Sequence, residues 1–288
     1  LAGPFKIIPL LMNNEDPQVA RPIGEALAKF AKKNKTLILV SSDLAHYPNK
    51  ETARIVDSTS LKALMNPDND PNYFWKTNRM LMARGNKDLV CAYCGEAAVL
   101  TALYAMKELG AKGRLLEYIN SGELPEGHPN RAVGYAALVW LLGQKEITRP
   151  SLGPEQRKAL LKLTREALVL RLTKGEIPKA QLWDDPDFNL PAAVFVTLRR
   201  KNVPHRMSLR GCIGSLTADL PLAEASQAYV LKSALEDHRF APVEANELDS
   251  LTIEISRLTP FRQIATALAV KKGQGVLIGQ GNNSGLFL

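Results

Sequence analysis

Residues 36–47 read Thr36-Leu-Ile-Leu-Val40-Ser41-Ser42-Asp43-Leu-Ala-His46-Tyr47, an aliphatic run that breaks at once into polar side chains. Such a run, ended so abruptly, is expected to be a buried strand, and ligands of open α/β sheets bind at the carboxyl ends of strands. Ser41, Ser42, Asp43 and His46 would then share that rim. Asp43 and His46 are three apart, so a turn or a first helical turn lets both face one side. A carboxylate beside an imidazole holds its tautomer and favours its protonated form, as a general base near neutral pH requires. The same residues also suit a plainer role, with Asp43 as a helix N-cap and His46 as a surface residue of the first turn.

The flanking sequence extends this into an α/β unit. Phe5–Met12 is expected to be a strand closed by Asn13-Asn14. Pro17–Lys33 reads as a helix with Val19, Ile23, Ala26, Leu27 and Phe30 on its apolar face, so the chain should open as a parallel β-α-β unit. Helices are expected over Glu51–Met65, Tyr73–Ala83 and Cys94–Leu109, the last ended by Gly110. Strands follow over Leu115–Asn120 and Ala132–Leu141, and the small residues Gly134, Ala136 and Ala137 suit close packing against a helix. Residues 143–153 are polar, with Pro150 and Gly153 followed by Pro154, and read as a linker. Beyond it the pattern becomes α+β: helices at 155–173 and 222–235, strands at 192–198, 207–213 and 251–258, and a hairpin around Gln280–Gly285.

The chain has 288 residues, 45% hydrophobic and 23% charged, enough for two domains with the composition of a soluble globular protein. Its net charge of +8 divides evenly, +4 in residues 1–150 and +4 beyond. The longest basic runs, Lys32–Lys35 and Lys271-Lys272, are short, so a dedicated nucleic-acid stripe is not expected. No apolar run is long enough for a membrane span, and no signal peptide is visible. Three cysteines do not make a disulfide framework, which favours reduced thiols and a cytoplasmic setting. The chain opens at Leu1 without a methionine and ends in a strand-like Gly285-Leu-Phe-Leu288, so both ends read as cut from a longer protein.

Two cysteine motifs invite chemistry. Cys91-Ala-Tyr-Cys94-Gly95 precedes a helix, and a thiol at a helix N-terminus is stabilised as thiolate, the form that binds metals. A C-x-x-C can also be a redox pair or half of a zinc site, although no second pair exists and Cys212 is distant. An inert thiol packed under the sheet is the plain alternative for Cys94. In Ser208-Leu-Arg210-Gly211-Cys212-Ile-Gly214, Arg210 and Cys212 are two apart on an expected strand and should share a face, where the guanidinium would activate the thiol. Here too the alternative is a small core cysteine and a surface cation.

The order S-S-D-L-A-H-Y after a strand, then C-G and an alanine/leucine-rich helix roughly fifty residues later, resembles the Memo family. That family in turn resembles the class III extradiol ring-cleaving dioxygenases. The resemblance implies an α/β Memo/extradiol-dioxygenase-like half-domain over residues 1–142, with His46 as catalytic base, Asp43 beside it and Cys94 where the dioxygenases hold iron. It implies iron, or zinc, in the intact protein. The family's two histidine ligands stand in a preceding half that this sequence does not contain, so a three-ligand centre is not expected from this chain. Glu96 also departs from the basic residue common after C-G. S-L-R-G-C-I-G, with Asp237-His-Arg-Phe240 and the closing S-G-L-F-L, resembles the AMMECR family. It implies an α+β AMMECR domain over residues 154–288, truncated at its C-terminus, with Cys212 and Arg210 at its site and a loop that brings Arg239 back near that strand to complete a positive pocket. The pairing resembles the AmmeMemoRadiSam system, which implies a radical S-adenosylmethionine partner and a small-molecule or peptide ligand. A non-catalytic binding or scaffold module is the alternative.

Overall fold

The computed structural model describes residues 5–68, 70–143, 151–204, 208–264, 266, 269–271, 274–280 and 283–287. The chain forms two compact units. One comprises Leu1–Lys158, Lys179–Pro191 and Leu220–Ala223; the other comprises Ala159–Pro178, Ala192–Asp219 and Glu224–Leu288.

The first unit holds helices α1 (Pro17–Lys33), α2 (Lys50–Leu64), α3 (Pro71–Met82) and α4 (Glu96–Leu109), then an antiparallel pair, β1 (Lys112–Asn120) and β2 (Gly134–Leu141). The helix starts follow from local chemistry. Asp16, Asn49 and Asp70 each cap a helix by accepting from a first-turn amide, and Pro17 and Pro71 occupy first-turn positions where a missing N–H costs nothing. Gly110 closes α4 in the left-handed region at φ 64°. Leu44, Leu61, Leu64, Phe74 and Leu100 form the core, with Phe74 edge-on to Tyr93 at 5.3 Å.

Two expectations are corrected here. Among the described residues, neither Phe5–Met12 nor Thr36–Val40 forms a strand, and the expected β-α-β unit is absent. Ile7, Ile8, Leu11, Leu37 and Leu39 are exposed. A strand exists through its neighbours, and no ladder partner lies beside either segment. The buried face of α1 also differs from the expected one: Ala20, Gly24 and Ala28 are inside, whereas Val19 and Phe30 are exposed. A Cβ at Gly24 would lie 2.4 Å from the Thr101 carbonyl oxygen of α4. Close approach of the two helices therefore selects the small residues, against the larger side chains that dominate an amphipathic reading.

Farther along come α5 (Pro154–Lys174), α6 (Pro186–Asn189), β3 (Pro191–Ala192), β4 (Val194–Arg200), β5 (Leu209–Gly214), β6 (Leu220–Pro221), α7 (Leu222–Leu235), β7 (Leu251–Arg257) and the hairpin β8 (Val276–Gln280) and β9 (Asn283–Phe287). The second unit is built on the antiparallel sheet β5-β4-β7. Leu168 of α5 and Val230 of α7 pack with Val196, Leu198 and Leu251 in its core. A Cβ at Gly211 would lie 2.0 Å from the Ser233 carbonyl oxygen, so this glycine lets the backbone of α7 rest on β5.

Candidate functional site

The segment Asp43–Tyr47 is an irregular strip held by backbone bonds on both sides. Leu44 N donates to Gly134 O and Gly134 N to Ala45 O, while His46 N donates to Cys91 O and Val90 N to His46 O. His46 thus bridges antiparallel to both Cys91 and Val133. Beneath the strip, the buried Asp57 of α2 accepts from Ala45 N at 2.9 Å and from the Tyr118 hydroxyl at 2.8 Å. The strip is therefore fixed although it belongs to no regular element.

This scaffold brings Asp43, His46 and Cys94 together as the sequence suggested. His46 Nε2 lies 3.0 Å from Asp43 Oδ2. The approach is off the line of a good hydrogen bond, and Nε2 is buried without an aligned partner. Cys94 is exposed and hydrogen-bonded to the same carboxylate. Burial pulls the Asp43 carboxyl upward, but the neighbouring His46 and Cys94 outweigh that and hold it below its ordinary value. Ser42 is spent internally, accepting from Gly95 N at 2.8 Å and donating to Asp43 O at 2.7 Å. A Cβ at Gly95 would sit 2.5 Å from Ser42 Oγ, which accounts for the glycine after Cys94.

The expected thiolate at Cys94 is corrected. The helix α4 begins only at Glu96, and burial together with the Asp43 carboxylate raises the Cys94 thiol above its ordinary pKa. Burial pushes the Cys91 thiol up to about 12, with Cys94 alongside adding to the shift. Among the described residues, ligand atoms of His46, Cys91 and Cys94 all lie within 4.8 Å of one another. The Cys91-x-x-Cys94 spacing was the available signal for Cys91. Asp57 also had one, a carboxylate on the apolar face of α2 among Ala53, Val56, Ser60 and Leu61. Glu96 is buried in an ion pair with Arg79, which also holds Glu15 at 2.8 Å, so its departure from the usual basic residue serves packing.

The second cysteine sits differently from its expected setting. Register slips between Leu198 and Arg199, leaving Arg210 as an extra residue in β5. Alternation fails there. Arg210 is buried and chelated by Glu247 at 2.7 and 2.8 Å, so it does not line a pocket with Cys212. Arg239 does reach Cys212: its Nη2 donates to the Cys212 carbonyl at 3.2 Å, and Asp237 holds its guanidinium at 2.7 Å. Asp237 also accepts from Cys212 N at 2.8 Å, and bonding to Arg239 brings its carboxyl down to about 2. The Cys212 thiol, half-buried, accepts from the Thr197 hydroxyl at 3.2 Å.

Comparison with known families divides the chain in the same order. Residues 1–139 match the model of the Memo-like protein family, and residues 161–288 match that of AMMECR1. The chain joins a Memo-like domain to an AMMECR1 domain. A MEMO1 family protein of Nitrosopumilus maritimus is 30% identical over 48% of this chain and 46% of its own length. A protein of Thermococcus onnurineus is 38% identical over 45% of this chain and 66% of its own. The chain thus spans about half to two thirds of the length of these relatives. An uncharacterized protein of Pyrococcus horikoshii, PH0010, has a crystal structure similar at a TM-score of 0.43, with 38% identity over 45% of this chain and 67% of that one. Asp43, His46, Cys91 and Cys94 lie in the Memo-like half, and Arg210, Cys212, Asp237 and Arg239 in the AMMECR1 half. Among the described residues of both halves, no helix is long and apolar enough to cross a membrane.

Proposed function

We propose that the Memo-like half is the reactive part of a metal-dependent, dioxygenase-like enzyme acting on a small oxygenated or aromatic molecule, in one system with a radical S-adenosylmethionine partner. The observation that carries this reading is the His46–Asp43 pair, 3.0 Å apart, with an exposed thiol on the same carboxylate. His46 would take a proton from a substrate hydroxyl, and Asp43, 3.0 Å from its Nε2, would steady the imidazolium so formed. Cys94 would hold the metal. Of the iron set implied by the resemblance, two histidines with a cysteine, this chain carries the cysteine, Cys94. The acid–base step rests on Asp43 and His46 alone. The partner rests on the pairing of a Memo-like with an AMMECR1 domain in one chain.

The test uses the full-length protein with its radical enzyme and a panel of ortho-dihydroxy aromatics. His46→Ala should lower turnover by about a hundredfold or more while substrate affinity stays within about twofold, since a positioned base contributes that much. Turnover equal to wild type overturns the assignment.

One feature favours a second reading, in which the site holds an anionic peptide group without turnover. Arg131 is exposed and stacks on Tyr47 at 4.0 Å, and the Tyr47 ring lies 5.2 Å from that of His46. Binding lost in His46→Ala, with no turnover in the wild type, decides for the module.

A further inference from the structure

We propose that Cys91 and Cys94 are a dithiol redox site, which a low-molecular-weight disulfide oxidises to an intramolecular Cys91–Cys94 bond. The bond itself is independent of the enzymatic reading. Its consequence, a closed and inactive state of the site, rests on the assignment of Cys94 to the reactive centre.

Backbone geometry carries the inference. The strip beside the pair anchors it at both ends: His46 N donates to Cys91 O and Cys94 N donates to Asp43 O, each at 3.2 Å. Between these anchors Ala92 and Tyr93 are buried, with Tyr93 edge-on to Phe74, so the middle of the C-x-x-C is committed to the core. The two sulfurs are left together, within 4.8 Å of each other. A disulfide of about 2.05 Å asks them to approach by less than about 3 Å. A change of χ1 rotamer at the exposed Cys94 swings its sulfur through a distance of that order.

Exposure assigns the order of events. Cys94 gives its proton to solvent and attacks one sulfur of the small disulfide, whose S–S bond breaks and releases one small thiol. Cys91, half-buried with its sulfur 3.9 Å from Leu44 O, then attacks the Cys94 sulfur and expels the second small thiol. Two protein thiols are oxidised, one small disulfide is reduced, and both protons end on the released thiols. Burial raises the pKa of both protein thiols, and a thiol of high pKa is a poor leaving group. The bond should therefore form slowly and, once closed, resist reduction. It removes the hydrogen that Cys94 shares with the Asp43 carboxylate, and it ties up the sulfur assigned to the metal.

The test uses the full chain, reduced, freed of reductant and incubated with oxidised glutathione before free thiols are blocked with iodoacetamide. Trypsin releases residues 88–107 as one peptide carrying both cysteines. Wild type should give that peptide unalkylated and short of both thiol hydrogens, with Cys212 alkylated, and dithiothreitol should reverse the change. Cys91→Ser and Cys91→Ala should each stop at the glutathione adduct of Cys94, at more than about tenfold its wild-type level. Far-ultraviolet circular dichroism checks that both variants keep the fold. A wild-type protein that holds a stable adduct at Cys94, or keeps both thiols free, overturns the inference and leaves the enzymatic reading in place. So does a bond from Cys94 to Cys212 or to a second chain. Turnover by the full-length protein with its radical enzyme should fall by about tenfold or more as the bond closes, and return with dithiothreitol. A closed bond with unchanged turnover overturns the inactive state, and with it the place of Cys94 at the reactive centre.

Discussion

Asp43 lies beside both His46 and Cys94, and its carboxylate disfavours a thiolate at Cys94, adding to the rise in pKa that burial causes. In the metal-free protein Cys94 should therefore be sluggish despite its exposure. Asp43→Asn removes that negative charge, so Cys94 should alkylate several-fold faster at pH 8, measured by peptide mapping after a timed pulse of iodoacetamide. An unchanged rate would mean that burial alone sets the thiol. The sequence made Asp43, His46 and Cys94 legible because each stands in a short motif. Cys91 was visible too, but its relevance depends on His46 crossing to it through a backbone bridge, and no local pattern announces such a long-range contact. Arg210 was misplaced for a related reason: one extra residue in β5 breaks the alternation on which its predicted neighbourhood relied.

The pairing of α2 with β2 is what fixes the reactive strip. Asp57 reaches from α2 to Ala45 N, and Gly134 of β2 lies so close that an added Cβ would meet Asp57 Oδ2 at 1.9 Å. Gly134→Ala should thus cost about 1–3 kcal/mol, the usual penalty of overpacking, and should drive Asp57 off Ala45. Thermal unfolding measures the first effect, and amide exchange at Ala45 the second. A variant as stable as wild type with Ala45 still protected would show that the strip does not depend on this contact. Helices α2, α3, α4 and α7 were legible because caps, glycines and prolines are local signals. The segments at Phe5–Met12 and Thr36–Val40 carry strand-like composition, yet a strand also needs partners, which composition cannot supply.

The two units should answer pH in opposite ways. In the Memo-like unit, burial raises Asp57 to about 7, although hydrogen bonds from Ala45 and Tyr118 resist it, and burial raises Glu96 to about 7 against Arg79. Both folded-state values stand above the ordinary ones of 3.8 and 4.5. The folded unit therefore keeps protons that the unfolded chain releases, and its stability falls as pH rises from about 4 to about 7, then levels off. For Asp57 the full effect is on the order of 4 kcal/mol. In the AMMECR1 unit, Arg239 lowers Asp237 to about 2 and Arg210 lowers Glu247, so those ion pairs stabilise above the ordinary carboxyl range and are lost only as pH falls below it. Between pH 5 and 7.5 the second unit should hold steady while the first weakens. Calorimetry across that window should show one transition moving to lower temperature and the other fixed. Asp57→Asn keeps an oxygen for Ala45 N without a titrating proton and should flatten most of the moving transition's pH slope. If the slope persists undiminished in Asp57→Asn and in Glu96→Gln, neither carboxyl is its source.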